Sequence, residues 1–127
     1  MKTFKEHILE KLKISNKQPI THTLFPKNRY ELIKMIKDEM HKNGNKCSLN
    51  HIDVSEITDM NNVFYYSQFN GDISEWNVSN VKQMERMFYW ADFNGDISNW
   101  DVSNVTMMNY IFKYSPLEKN PPKWYKQ

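Results

Sequence analysis

Phe69-Asn70-Gly71-Asp72-Ile73-Ser74 recurs as Phe93-Asn94-Gly95-Asp96-Ile97-Ser98, 24 residues further on, and this recurrence decides the fold. Asp53-Val54-Ser55, Asn77-Val78-Ser79 and Asp101-Val102-Ser103 hold the same offset, as do Met60, Met84 and Met108 and then Phe64, Phe88 and Phe112. Self-similarity at a fixed period marks stacked repeats, in which no unit buries its apolar face alone and neighbours bury it for one another.

Arranged by period, the apolar columns are Leu49/Ile73/Ile97, Ile52/Trp76/Trp100, Val54/Val78/Val102, Ile57/Val81/Val105, Met60/Met84/Met108, Val63/Met87/Ile111, Phe64/Phe88/Phe112 and Phe69/Phe93/Leu117. One repeat reads Ile73-x-x-Trp76-x-Val78-x-x-Val81-x-x-Met84-x-x-Met87-Phe88. Its opening matches the L-x-x-L-x-L of a leucine-rich repeat. Trp76 and Val78, two apart, suit a strand with Glu75, Asn77 and Ser79 pointing outward. The later spacing of three and four suits a short helix or 3₁₀ stretch on the convex side. Asn-Gly-Asp then turns the chain back, with the glycine expected to supply a positive φ. The predicted class is an α/β solenoid: a short leucine-rich-repeat-like stack with a parallel β-sheet, an N-terminal helical cap and a degenerate C-terminal cap.

The flanks read as caps on one folded unit: 1–46 as an N-terminal helical segment and cap, 47–117 as three repeats, and 118–127 as a C-terminal cap. Phe4, Ile8, Leu9 and Leu12 mark an amphipathic first helix, followed by an extended stretch from Ser15 to Pro26. Asn28-x-x-Glu31 is a capping-box pattern that opens a second helix through about Lys42, with Gly44 as its stop. Ile33, Ile36 and Met40 stand two periods before Val81, Met84 and Phe88, as a zeroth repeat would. Trp124 stands one period after Trp100, but Pro121-Pro122 replaces Ile97-Ser98, and proline cannot donate to a ladder.

A chain of 127 residues suits one core. Its net charge of +2 hides an asymmetry: Met1–Lys46 carries 11 basic and 5 acidic residues, the remainder 6 and 10, so the halves balance at +6 and −4. Cys47 is the single cysteine, which excludes an intrachain disulfide. The charged opening Met1-Lys2-Thr3-Phe4-Lys5-Glu6-His7 has no apolar signal-peptide core, and no apolar run approaches the roughly 18 residues of a membrane span. A cytoplasmic protein without membrane contact is the expectation.

The string Asn-Gly-Asp-Ile-Ser-x-Trp-x-Val-Ser-Asn-Val, at 70–81 and again at 94–105, closely resembles the BspA-like leucine-rich-repeat surface proteins, which overlap the lipoprotein-associated repeats of unknown function. The likeness covers about Leu49 to Leu117. It implies a parallel β solenoid and a role in protein binding, and surface members of the family act as adhesins. The rings at Tyr66, Trp90 and Tyr114 depart from the small or polar residues expected at that position.

Two faces compete as a docking surface. Tyr65, Tyr66, Tyr89, Trp90 and Tyr114 follow a buried Phe at the end of each convex segment and would form an aromatic ridge, because consecutive rings cannot all face inward. Packing between repeats is the competing account of those rings. On the concave side the outward columns include His51, Glu75 and Asn99 beside Asp53, Asn77 and Asp101. Solenoids commonly bind there, although a solvated surface with Asp and Asn serving turns explains the same residues. Lys34, Lys37, His41 and Lys42 line one face of the second helix as a basic patch, but only two arginines exist in the chain and stacking platforms are missing nearby.

Chemistry finds little footing. Asp53 and Asp101, two rungs apart, would lie about 9.6 Å from each other, at the edge of carboxylate-pair geometry. Cys47-x-x-x-His51 lacks a third metal ligand at useful spacing. No catalytic residue, metal or cofactor is expected. The function expected is a non-enzymatic protein–protein interaction module, most simply a small intracellular binder or inhibitor of another protein, such as a mobile-element-encoded inhibitor of a bacterial defence or regulatory complex. A surface adhesion module and a nucleic-acid-associated protein are the alternatives, and a monomer or weak dimer is the expected state.

Overall fold

The computed structural model describes residues 19–126, so the first predicted helix lies outside the described residues. Helix α1 spans Arg29–Asn43, and its ends follow the sequence pattern. The Asn28 side chain accepts the Glu31 N–H at 3.0 Å, and Gly44, at φ 87°, donates its N–H to the Met40 carbonyl at 2.8 Å. The Glu31 carboxylate reaches the Lys27 N–H, one residue before the cap, rather than the Asn28 N–H that a capping box would use. The buried face is Leu32 and Ile36, while Ile33, Met35 and Met40 are only partly covered.

The parallel β-sheet predicted for the repeats is not formed, and with it falls the leucine-rich-repeat solenoid of α/β class. Among the described residues there are α1, a 3₁₀ helix at Pro116–Glu118 and isolated bridges, but no strand. The reason lies in how the apolar spacing is used. Ile52 N–H bonds Leu49 O, Trp76 N–H bonds Ile73 O and Trp100 N–H bonds Ile97 O, each closing a β-turn. The pairs Val54/Ile57, Val78/Val81 and Val102/Val105 close a second turn in the same way, and Met60/Val63, Met84/Met87 and Met108/Ile111 a third. A residue and the one three positions on are the two ends of a turn, so both can point the same way. Two apolar residues separated by two others are therefore the anchors of one turn, and the chain between Ile73 and Met87 is bent too often to extend as a strand or wind as a helix.

Successive turns still stack with the period of the sequence. Parallel bridges join Ser48 to Asp72, Asp59 to Gln83 and Gln83 to Met107, all 24 residues apart. Along one side of the stack the N–H groups of Met60, Asn62, Phe64 and Tyr66 donate to the carbonyls of Gln83, Glu85, Met87 and Tyr89 at 2.9–3.0 Å. Met84, Arg86, Phe88 and Trp90 repeat the pattern onto Met107, Asn109, Ile111 and Lys113 at 2.8–3.0 Å. This turn ribbon replaces the predicted helical convex segment, and its residues at φ 51–62° exclude a right-handed helix there.

All eight apolar columns enter one core, and their third-rung members Val102, Val105 and Met108 are only partly buried because no full rung covers them. The rings form ladders. Phe64 and Phe88 stack at 5.4 Å, and Phe88 and Phe112 at 5.8 Å. Trp76, Trp100 and Trp124 stack at 6.3 and 6.5 Å, and each indole N–H donates to the carbonyl 27 residues earlier: Leu49, Ile73 and Ile97. Trp76 and Trp100 are thus buried at 4% exposure without an unsatisfied indole. Trp124 extends the ladder past the proline pair, as its spacing predicts.

The glycines act differently from expectation. Neither Gly71 nor Gly95 has a positive φ. A Cβ on Gly71 would sit 1.8 Å from the Cys47 carbonyl oxygen, and one on Gly95 would sit 2.6 Å from the Phe93 ring. Asn70 and Asp72 donate to Asn45 O and Cys47 O on either side, so the two rungs touch backbone to backbone at this point. Gly71→Ala therefore has to push rungs apart, and the expected loss is about 1–3 kcal/mol, the usual cost of overpacking a tight site. Chemical denaturation checks this. A Gly71→Ala chain as stable as the parent would mean the rungs separate without cost.

Candidate functional site

The turn ribbon fixes where the large rings stand. Tyr66, Trp90 and Tyr114 occupy equivalent positions at φ 56°, 53° and 60°. The turns closed by Ser67 N–H on Phe64 O, Ala91 N–H on Phe88 O and Ser115 N–H on Phe112 O place each of them third of four, where a left-handed residue is required. Phe64, Phe88 and Phe112 enter the core, and the two residues after each Phe are thrown outward. Tyr66, Trp90 and Tyr114 are 58%, 48% and 50% exposed, against 4% for the core tryptophans.

The rings nevertheless touch along the stack. Tyr66 lies 6.1 Å from Trp90, and Trp90 lies 4.7 Å from Tyr114. Tyr65 stacks on Tyr89 at 5.4 Å, and Tyr89 meets the edge of Tyr114 at 5.6 Å. Tyr65, Tyr66, Tyr89, Trp90 and Tyr114 are thus brought into one surface strip, with Tyr89 the most covered of them. Sequence reading missed an extension of the strip. Tyr110, 57% exposed, stands at the third member of the column Asn62/Arg86/Tyr110, and the Arg86 guanidinium lies 5.6 Å over its ring. The Lys113 ammonium lies 5.0 Å over Tyr114. That column mixes three residue types, so periodicity alone gave no signal for it. The shared signal is a positive φ, at 62°, 51° and 60°.

The concave strand face is absent along with the sheet, and its residues sit in turns. Asp53, Asn77 and Asp101 each accept, through the side-chain oxygen, the N–H of the serine two residues on, at 2.9, 3.1 and 3.1 Å. Asp72 and Asp96 do the same for Ser74 and Ser98 at 2.9 Å. These are Asx-turns, in which a short polar side chain holds its own backbone. His51 is tied to the Glu39 carboxylate of α1, and His22 lies 4.0 Å from Asp53. Glu75 takes part in the stack through its N–H, which donates to the Asn50 side chain at 3.0 Å, while Asn99 is exposed.

The basic patch is a solvated helix face. Lys34, Lys37, His41 and Lys42 are exposed, with Lys34 3.8 Å from Asp38 and Lys42 3.9 Å from Glu39. Among the described residues no group of three or more His, Cys, Asp or Glu is placed to hold a metal ion. Burial, reinforced by Glu39, pushes the Cys47 thiol up, away from thiolate reactivity. No described helix is long and apolar enough to cross a membrane.

What the geometry defines, among the described residues, is a stack of turns with an aromatic, cation-edged strip along one side. The chain belongs to the family described as "Mycoplasma protein of unknown function, DUF285", whose pattern matches residues 31–126. No curated protein and no solved structure matches it.

The Asx-turns give a pH dependence. Hydrogen bonds from Ser55, Ser98 and Ser103 hold the Asp53, Asp96 and Asp101 carboxyls below the usual carboxylate range. For Asp72 burial pushes upward, but the Ser74 bonds outweigh it. A carboxyl whose pKa is lowered by folding stabilises the folded state above the unfolded value, about 3.9. That stabilisation is lost as pH falls through the folded value. The thermal midpoint should therefore drop on acidification below about pH 4. Replacing Asp53, Asp96 and Asp101 by Asn should flatten that acid limb and leave the neutral-pH midpoint nearly unchanged, since Asn77 already makes the same turn. An acid limb as steep as the parent's would contradict the assignment.

Proposed function

We propose that this chain is a non-enzymatic protein-interaction module that docks a partner protein on the ridge of Tyr66, Trp90 and Tyr114. The observation that carries this reading is backbone strain at a repeated exposed ring. A non-glycine residue in the left-handed region is disfavoured by about 1–2 kcal/mol, and bulky side chains are the least suited to it. Gly or Asn would serve the turn better. An aromatic stands there in all three rungs, half exposed, its ring contacts made along the strip and not with the core. Strain of that kind, repeated, points to a use outside folding. Tyr and Trp also dominate the energetic centres of protein interfaces, because a rigid ring buries much area with little loss of side-chain freedom.

A small binder or inhibitor of another protein is the simplest form of such a module. The likeness of the repeat to BspA-like surface repeats favours a second form, adhesion to another cell's surface protein, which would use the same ridge. The Asx-turns engage the side chains of Asp53, Asn77 and Asp101 internally, which argues against the rival face.

The test replaces Tyr66, Trp90 and Tyr114 together by Asn, which tolerates a positive φ. The altered chain should melt at or above the parent's temperature. It should also lose, by at least about 100-fold in affinity, the partner protein recovered with the parent from a lysate of the source cell and identified by mass spectrometry. Unfolding of the triple variant would show that the rings are structural, and undiminished binding would place the interface elsewhere.

A further inference from the structure

The turn ribbon has two unlike edges. Toward α1 it presents carbonyls, and the Arg29 guanidinium covers that edge by donating to Asn61 O at 2.9 Å. Away from α1 it presents N–H donors at every second residue. In the first two rungs those donors find the carbonyls of the next rung. In the third rung the series falls on Met108, Tyr110, Phe112 and Tyr114. The Tyr114 N–H is taken by the Glu118 carboxylate at 2.8 Å. Among the described residues those of Met108, Tyr110 and Phe112 meet no acceptor, and since Phe112 is 2% exposed beneath Trp124 and Tyr125, the accessible donors are those of Met108 and Tyr110.

A groove of about 720 Å³ opens beside these donors, lined in part by Tyr110, Lys113, Tyr125 and Lys126, with Glu118, whose carboxylate is engaged by the Tyr114 N–H, as its one acidic wall. A second hollow of about 330 Å³, walled by Arg86, Tyr89, Tyr110, Lys113 and Tyr114, shares Tyr110 and Lys113 with it. The Arg86 and Lys113 cations rest on the Tyr110 and Tyr114 rings, and among the described residues neither forms an ion pair. Charge is segregated along the repeat. Segments 47–57, 68–81 and 92–105 together hold seven Asp or Glu and no Lys or Arg. The ribbon segments 58–67, 82–91 and 106–115 hold Lys82, Arg86 and Lys113 against Asp59 and Glu85, and Asp59 lies 3.9 Å from Arg29.

We infer that this open edge takes an acidic, extended segment of a partner protein, whose carbonyls accept from Met108 and Tyr110 while a carboxylate meets Lys113 and Arg86. The inference rests on the ridge reading and names the partner's chemistry. Donors on alternate residues match the acceptor spacing along one side of an extended chain, the arrangement used when a peptide adds to an exposed edge. Glu118 shows the edge already receiving a carboxylate. A nucleic-acid strand would bring a charge with every nucleotide; Lys113, Lys119, Lys123 and Lys126 would meet only those near the edge, and the carboxylate-only segments 68–81 and 92–105 along the stack would repel the rest. A peptide with one or two carboxylates and otherwise neutral carbonyls avoids that repulsion.

The experiment selects binders to the immobilised full chain from a displayed library of random peptides about twelve residues long. It then measures the selected peptide and oligouridylate RNA by fluorescence anisotropy against the parent, R86E/K113E, R86Q/K113Q and the ridge triple variant. The expected result is enrichment of Asp and Glu, at least about tenfold weaker binding to both cation variants at unchanged melting temperature, and slower amide exchange at Met108 and Tyr110 in the complex. Either cation variant that folds decides the point. Selected peptides without acidic residues, cation variants that bind like the parent, or unchanged exchange at those two amides overturn the inference. If such peptides are still lost by the ridge triple variant, the ridge reading survives alone. RNA bound more tightly than any peptide overturns it in favour of nucleic acid. If no peptide is selected while a protein partner is lost by the ridge triple variant, the edge is not a peptide site and the inference again falls alone.

Discussion

Each rung of this protein satisfies much of its backbone on the rungs before and after it, and everything else is arranged around that requirement. A chain bent into turn after turn cannot pair its polar groups along a helix or a long ladder. A buried N–H or carbonyl left alone costs as much as a lost hydrogen bond. Between Met60 and Trp90 the alternate N–H groups therefore reach carbonyls 23 residues on, and other bonds close the turns themselves. The offset of the bonds and the period of the sequence nearly coincide, so every rung must have the same number of residues as the next. A single insertion inside 58–91 would misalign the donors of one rung with the acceptors of its neighbour.

The side chains extend the same logic into the core. An indole N–H buried among apolar rings is costly unless it is bonded, and the carbonyl 27 residues back lies where Trp76, Trp100 and Trp124 reach it. Asn80 and Asn104 donate from their side chains to Ser55 O and Ser79 O, spanning rungs where backbone bonds do not. Asn61 links to both Gln83 and the Glu85 N–H. The abundance of Asn and Asp thus has a mechanical cause: short polar side chains replace the ladder bonds that a sheet would have supplied.

The period, the eight core columns, the fate of Trp76 and Trp100, and both ends of α1 were legible in the sequence because they depend on burial and capping, which leave local marks. The sheet was misread because an apolar pair three apart, followed by one two apart, fits the strand of a leucine-rich repeat and a run of β-turns equally well. What separates the two is the serine two residues after Asp53, Asp72, Asn77, Asp96 and Asp101, which announces an Asx-turn in the middle of each supposed strand. Gly71 was assigned to a turn conformation when the constraint is contact with Cys47 O, a fact about the neighbouring rung that no local pattern carries. The outward rings were found by exclusion, since Phe-Tyr-Tyr cannot all be core, whereas Tyr110 was missed because its column repeats a backbone conformation and not a residue type.

The two ends of the stack then differ for a reason internal to the ribbon. Along the alternate residues of the ribbon the bonds run one way, while Lys82, Asp92 and Thr106 at its margins donate back to Thr58 O, Ser67 O and Lys82 O, so one terminal edge is richer in carbonyls and the other in N–H groups. Helix α1 lies over the first, with Arg29 supplying a cation to it. At the second, Glu118 supplies one carboxylate and Trp124 and Tyr125 cover Phe112, while among the described residues nothing pairs with the Met108 and Tyr110 donors of the outer ribbon. Polarity of the backbone and segregation of charge agree at that edge: donors of the main chain and cations of the side chains face the same groove. An occupant rich in acceptors and carrying negative charge is complementary to both at once. The rings of the ridge run directly into that edge through Trp90, Tyr114 and Tyr110, so apolar contact and polar complementarity would act on one partner surface and not on two.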